Sequence, residues 1–211
     1  MCFAFTLEKS IEQLSRVFNI KKILDEPQVP TTIKNPNYIT PRSNIICVTQ
    51  KSFQTLTWGA SIYEKFLYNA RDDKLLTSRF WKAAFHQQRC IIPADGWYDL
   101  HKEEHQTLTK IEAQSRGLTS TGKRQYYFHF ENRPCFAIAA IYGKKTQSSI
   151  MITTQADTSI THLHHRMPAI ISQNYWEAFL DPATSAHEAL AMLQPVEESI
   201  YYFASPKPID D

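Results

Sequence analysis

A chain of 211 residues that is 43% hydrophobic and 12% aromatic can bury one sizeable core, which excludes wholesale disorder. A net charge of +2 excludes a basic surface spread over the whole molecule but leaves room for a local nucleic-acid patch. The four cysteines contain no C-x-x-C pair, so neither a disulfide framework nor a structural zinc site is expected. No apolar run is long enough to span a bilayer, and Glu8 and Lys9 come too early for a secretory leader, so the expectation is a soluble, cytoplasmic monomer.

In chain order, Ile11, Leu14, Val17 and Phe18 recur at helical spacing behind Ser10, which predicts a capped helix over Ser10 to Phe18. The prolines between Pro27 and Pro41 exclude helix through most of that stretch. Asn44 to Val48 and Phe53 to Trp58 read as strands around a polar turn. Thr77 to Gln87 reads as a helix with Phe80, Ala84 and Trp81 inward. Cys90 to Pro93 and Trp97 to Leu100 read as strands on either side of the Ala94-Asp95-Gly96 turn. Residues 101–125 are polar, carry Gly117 and Gly122, and predict a long surface excursion. Tyr126 to Phe130, Phe136 to Ile141 and Ser149 to Thr154 are strand-like, and helices are expected over Gln173 to Leu180 and Ala183 to Leu193. With few helices between the strands, a mixed α+β domain is favoured over a doubly wound parallel sheet.

Four places carry candidate chemistry. Cys47, Cys90 and Cys135 lie in apolar runs and read as inert buried thiols, whereas Cys2 has no such explanation. Once Met1 is removed, Cys2 offers an amine and a thiol two carbons apart, with ordinary pKa values of about 8 and about 8.5. The amine condenses with aldehydes and the thiol then closes a five-membered thiazolidine; alternatively the amine serves as base for the thiol. His162, His164 and His165 crowd one segment beside Arg166. His162 and His164 on a strand could share a metal, yet no acidic or thiolate residue clusters nearby, so no metal is expected and proton transfer is the sharper reading. Asp95-Gly96 is turn chemistry, while Asp99, flanked by aromatics, is the better candidate for a carboxylate tuned by its surroundings. Asn69 and Arg71 supply an amide and a phosphate-binding guanidinium.

Taken in order, Met1-Cys2, Trp58-Gly59, Asn69-Ala70-Arg71, the run from Arg89 to Asp99, and His164-His165-Arg166-Met167-Pro168 closely resemble the SOS response-associated peptidase family, from residue 1 to about residue 193. The resemblance implies a single α+β domain with a mainly antiparallel, barrel-like β core, peripheral helices and a cleft for single-stranded DNA. It implies self-removal of Met1, no cofactor, and covalent capture of an abasic site by Cys2 as a thiazolidine. By the same resemblance Asn69 would hold the sugar or the N terminus, Asp99 would shuttle protons and His164 would assist ring opening and reversal. Trp58, Arg71, Pro41 and Arg166 would line the DNA cleft.

Three positions depart from the family pattern. Phe3 and Ala4 replace the usual Gly-Arg, and Asp99 replaces a glutamate. These departures keep a second reading open, a divergent member that binds single-stranded nucleic acid without covalent chemistry. A third reading, a general cysteine peptidase built on Cys2, His164 and Asp99, ranks last.

Overall fold

The computed structural model describes residues 2–20, 38–50, 52–102, 115–119, 122–194 and 198–205. The strands are β1 (Ala4–Thr6), β2 (Asn44–Thr49), β3 (Ser52–Trp58), β4 (Ala60–Ile62), β5 (Lys65–Leu67), β6 (Asn69–Arg71) and β7 (Arg89–Ala94). They continue with β8 (Gly96–Lys102), β9 (Lys123–Phe130), β10 (Phe136–Gly143), β11 (Ser148–Gln155), β12 (Arg166–Pro168), β13 (Ile170–Ile171) and β14 (Ile200–Ala204). The helices are α1 (Ile11–Val17), α2 (Lys82–Gln87), α3 (Trp176–Leu180) and α4 (Ala186–Ala191).

The larger sheet runs β12-β11-β3-β2-β7-β10-β13, and a further β11–β10 pairing closes β11, β3, β2, β7 and β10 into a ring. Closure abolishes free edges along most of the ring. Its pairings are antiparallel except β11 with β3, and β6 also joins β11 in parallel. The fold is therefore α+β with a mainly antiparallel, barrel-like core, as the sequence led one to expect. Phe136 to Ile141 are all buried, since one face of β10 fills the ring while α2 packs against the strand from outside.

Buried Arg89 ties the helical layer to the ring. Its Nε donates to Phe179 O at 2.6 Å, its Nη1 to Phe85 O at 2.7 Å and its Nη2 to Thr184 O at 2.9 Å. These carbonyls at and beyond helix C-termini would otherwise lack partners. The second sheet, in the order β1-β8-β9-β14, packs Trp97 and Phe128 against the ring, stacked at 5.2 Å between centroids.

Several expectations need correction. The second helix starts at Lys82, not Thr77, because Ser78 turns the chain and its Oγ accepts from Phe80 N at 3.2 Å. Phe80 is exposed, and the buried anchor is Phe85. The last helices shorten to α3 and α4, the latter begun by a capping box at Ser185. Asp95 makes no hairpin: β7 and β8 belong to different sheets, and this residue is the corner between them. The excursion after His101 begins and ends as paired strand, with His101 opposite Arg124 and Lys102 opposite Lys123. Residues 103–114 lie outside the described residues, as does most of the proline-rich stretch. Among the described residues, no helix is long and apolar enough to cross a membrane.

Gly96 starts β8 opposite Thr6 and lets Tyr127 lie across the strand. A Cβ there would sit 2.2 Å from Tyr127 Oη, and that hydroxyl is 3.0 Å from Thr6 Oγ1. Gly96→Ala should therefore destabilise the protein by ~1–3 kcal/mol in urea unfolding. In Tyr127→Ala, which removes the ring, the added methyl should have much less effect. Equal effects in both backgrounds would show that Tyr127 is not the clashing partner.

Candidate active site

The first strand decides where Cys2 lies. β1 pairs antiparallel with β8, Ala4 opposite Tyr98 and Phe5 opposite Trp97, and Phe3 N donates to Tyr98 O at 3.4 Å. On its other side, Phe5 exchanges backbone hydrogen bonds with Ile39 at 3.0 and 2.8 Å. Cys2 is thereby held beside the segment of β8 that carries Asp99. Its side chain is wholly buried, and Sγ donates to Ala4 O at 3.4 Å.

A second element reaches Cys2 from the ring. β6 is locked parallel to β11 with Asn69 opposite Met151. Asp72, just past the end of β6, strengthens this lock: it accepts from Thr154 Oγ1 and from Arg166 Nη2, each at 2.7 Å, and so ties the end of β6 to β11 and β12. Asn69 Nδ2 then donates to Cys2 O at 2.8 Å. The amide oxygen of Asn69 is buried with no hydrogen-bond partner among the described residues, an acceptor left over at the end of the chain.

Asp99 and His164 complete the cluster. Asp99 is only 3% exposed, so its carboxylate is withdrawn from solvent. Its Oδ1 accepts from Leu100 N at 2.8 Å, and its Oδ2 lies 3.9 Å from His164 Nδ1. His164 is partly buried and sits just before β12. Arg166 N donates to His164 Nδ1 at 3.0 Å, and Arg166 O lies 3.1 Å from the same nitrogen. The neutral ring accepts from the amide, while the protonated ring can turn its Nδ1–H toward the carbonyl and Asp99. Both protonation states find partners in one place.

Burial governs the acidity of this cluster. It pushes the Cys2 thiol well above its ordinary range, and the nearby Asp99 charge pushes it further. Burial also pulls His164 below the ordinary histidine value, against a smaller upward pull from Asp99. Near neutral pH the Cys2 thiol is therefore protonated and the His164 imidazole neutral, both within the field of the Asp99 carboxylate.

The other candidates fall in different places. Trp58 is wholly buried, edge-on to Phe5, and its Nε1 donates to Tyr68 O at 3.0 Å, so its ring has no free face for a ligand. Arg166 is also buried, gripping Asp72 and the Thr153 carbonyl as an internal strut. Arg71 is exposed and forms a two-pronged pair with Asp73 at 2.9 and 2.8 Å. Pro41 is half-buried in the turn before β2, and the adjacent Arg42 guanidinium lies 3.9 Å over the Phe66 ring. His162 belongs to a run of turns rather than a strand and meets Tyr202 Oη at 3.1 Å, away from His164 Nδ1. Among the described residues no three His, Cys, Asp or Glu side chains converge on a metal position.

Sequence reasoning missed Asp72 as the tie beneath Asn69, and it missed Arg42. A carboxylate set between an arginine and a second carboxylate gives no sign of which cation it will meet. It also expected Cys2 to be set apart from the other cysteines, yet all four are buried.

Fold and site together define a class: a barrel-cored α+β domain that buries a cysteine at its second position beside a carboxylate and a neutral imidazole. The chain belongs to the SOS response associated peptidase (SRAP) family, whose family model matches residues 1–206. It is 26% identical to the abasic site processing protein YoqW of Bacillus subtilis, over 93% of this chain and 88% of that protein. It is 27% identical to the abasic site processing protein YedK of Escherichia coli, over 90% of this chain and 83% of that one. Among solved structures, a protein from Bacteroides thetaiotaomicron superposes with a TM-score of 0.78 at 19% identity, covering 96% of this chain and 91% of that one, which is a likeness of fold.

The lowered His164 pKa has a consequence for stability. Between the folded pKa and the unfolded value of about 6.5, the unfolded chain binds the proton and the folded chain does not. The contribution of His164 is therefore fully present above that window and is lost as pH falls through it. His164→Gln should unfold with a shallower pH dependence than wild type just below pH ~6.5 in urea titrations. Superimposable curves would show that His164 is not held neutral by burial.

Proposed function

We propose that this chain processes abasic sites in single-stranded DNA by linking Cys2 to them after Met1 is removed. The observation that carries the reading is the Asn69 amide gripping the Cys2 carbonyl at 2.8 Å, within a cluster that also contains buried Asp99 and partly buried His164. The names of the relatives, abasic site processing proteins, support the same substrate.

The chemistry follows from the groups present. While Met1 is attached, the Cys2 nitrogen is an amide; its removal releases an α-amine at the buried end. An abasic deoxyribose is mostly a closed hemiacetal, and opening it needs a proton taken from the C1′ hydroxyl and one given to the ring oxygen. His164, neutral near physiological pH, is suited to the first task, and Asp99 to relaying the proton. The amine then attacks the aldehyde and loses water to form an imine. Addition of the thiol across the C=N bond forms the S–C bond and returns the thiol proton to nitrogen, closing the thiazolidine. A thiol held protonated until this last step suits a nucleophile that acts second. The buried oxygen of Asn69 is the natural acceptor for the freed amine or a sugar hydroxyl.

Arg71 and Pro41 are assigned to the DNA path, with Trp58 and Arg166 supporting the wall from behind. The reading also includes self-removal of Met1 and reversal of the adduct by the same proton carriers.

Two outcomes test this. Cys2→Ala should abolish the heat-stable adduct with single-stranded DNA bearing an abasic site, seen on a denaturing gel, while filter binding at low salt persists through phosphate contacts. An undiminished adduct would remove Cys2 from the mechanism, and binding without any adduct in wild type would favour the non-covalent reading. Second, a phosphate must displace Asp73 from Arg71, so Asp73→Asn should raise affinity. Arg71→Ala should lower it and flatten the slope of log affinity against log salt by ~0.7, the value for one contact to a single strand. An unchanged slope in Arg71→Ala would make the arginine structural.

A further inference from the structure

We propose that His101 is a positioning residue that fixes His164 against Asp99. The inference rests on the proton-carrying roles assigned to that pair above, and it concerns a residue that neither the motifs nor the cysteine chemistry touched.

His164 lies on a turn segment, held after it by the bond from Ala156 N to His165 O at 3.0 Å and by β12, and before it by buried Ile160. Asp99 is on β8, which is paired along its length with β9, Asp99 opposite Tyr126 and His101 opposite Arg124. The residues leading to His164 form consecutive turns with no strand partner. Within that segment, Leu163 N and His164 N both donate to Ile160 O, at 2.9 and 3.2 Å, which shapes the turn and hangs it on the core through Ile160 but does not tie it to β8. An acid–base pair shared between a rigid strand and a loop needs a tie between the two, because proton transfer depends steeply on separation.

His101 supplies the tie. Residues 99 and 101 point to the same face of β8 by the alternation of a strand. His101 Nδ1 lies 2.8 Å from the carbonyl oxygen of Leu163, the residue immediately before His164. A carbonyl only accepts, so Nδ1 carries the proton, and the contact holds whether the ring is neutral or charged. The ring is half-buried and packs edge-on to Tyr126 at 6.3 Å, so its donor has a fixed direction. One strand thus presents Asp99 to the imidazole and, two residues on, grips the backbone that bears it. A second contact, His162 Nε2 with Tyr202 Oη at 3.1 Å, holds the same segment from β14, but both side chains are exposed and water competes for it.

The test uses side-chain geometry. In asparagine the amide nitrogen stands as many bonds from Cα as histidine Nδ1, whereas in glutamine it stands one bond further. In single-turnover crosslinking by the full chain freed of Met1, His101→Ala should slow adduct formation by roughly ten- to a hundredfold. His101→Asn should return the rate to within a few-fold of wild type, and His101→Gln should not. Thermal midpoints measured alongside separate this from loss of fold: a rate that follows stability rather than donor position overturns the proposal, as does a wild-type rate in His101→Ala.

A second readout does not need the crosslink. His164 faces Asp99 from β8 and stacks on His165 at 4.6 Å within its own segment. Loosening the loop should expose its ring, so an NMR titration of His101→Ala should place its midpoint closer to the ordinary value of about 6.5. An unmoved midpoint overturns the positioning role. Wild-type protein that never crosslinks, with the midpoint still shifted, would overturn the proposed function and leave His101 as the tie.

Discussion

Burying the start of a chain commits its backbone, and this constraint underlies the whole site. A buried amide or carbonyl without a partner costs about as much as a lost hydrogen bond. The backbone groups of the first residues are therefore met by elements from elsewhere: Phe3 N by Tyr98 O of β8, Phe5 by Ile39 from the segment before β2, and Cys2 O by the Asn69 amide of β6. The partners that satisfy the first residues are the same ones that set the direction of the Cys2 end. Holding the N terminus down and aiming it are one act. Asn69 can do this only because β6 is itself pinned to β11 through Asp72, Thr154 and Arg166.

That dependence explains why two of the charged side chains lie inside. Arg166 and Asp72 form a partly buried pair at 2.7 Å, and the guanidinium also grips the Thr153 carbonyl. Such a pair adds little net stability after desolvation, but removing one partner leaves the other stranded, so it fixes geometry. Arg71, one residue before Asp72, faces water and keeps an exposed partner that a phosphate can replace. Two neighbouring residues at the end of β6 thus differ: Asp72 holds the frame, while Arg71 stays at the surface.

The departures from the family pattern are accommodated locally. Ala4 is wholly buried opposite Tyr98, and a side chain as long as arginine would require repacking there. Phe3 turns outward, edge-on to Tyr38 at 6.2 Å, and Tyr38 in turn meets Tyr98 at 5.1 Å. An aromatic cluster replaces the open backbone that glycine would leave. Asp99, one methylene shorter than glutamate, keeps its carboxylate 3.9 Å from His164 Nδ1.

The sequence by itself determined the composition of the core, the main long strands and which residue stands second in the chain. These are local matters: apolar runs such as Phe136 to Ile141 stay buried in any sheet, a serine with glutamine three residues on caps a helix, and an aminothiol is fixed by covalent structure. Short elements escaped it: β1, β6 and β12, three residues each, carry no period to read, and β14 is a strand only through its pairing with β9. What the tertiary structure alone decided is which polar groups meet. Trp58 and Arg71 look equally fit to touch DNA from their types, yet one is sealed in the core and the other exposed, since strand alternation and sheet closure assign each its face. Asp99 meets His164, Asp72 meets Arg166 and Asn69 meets Cys2 across long stretches of chain. Hydrogen bonds and ion pairs act over a few ångströms, and only folding brings residues so far apart in sequence within that range.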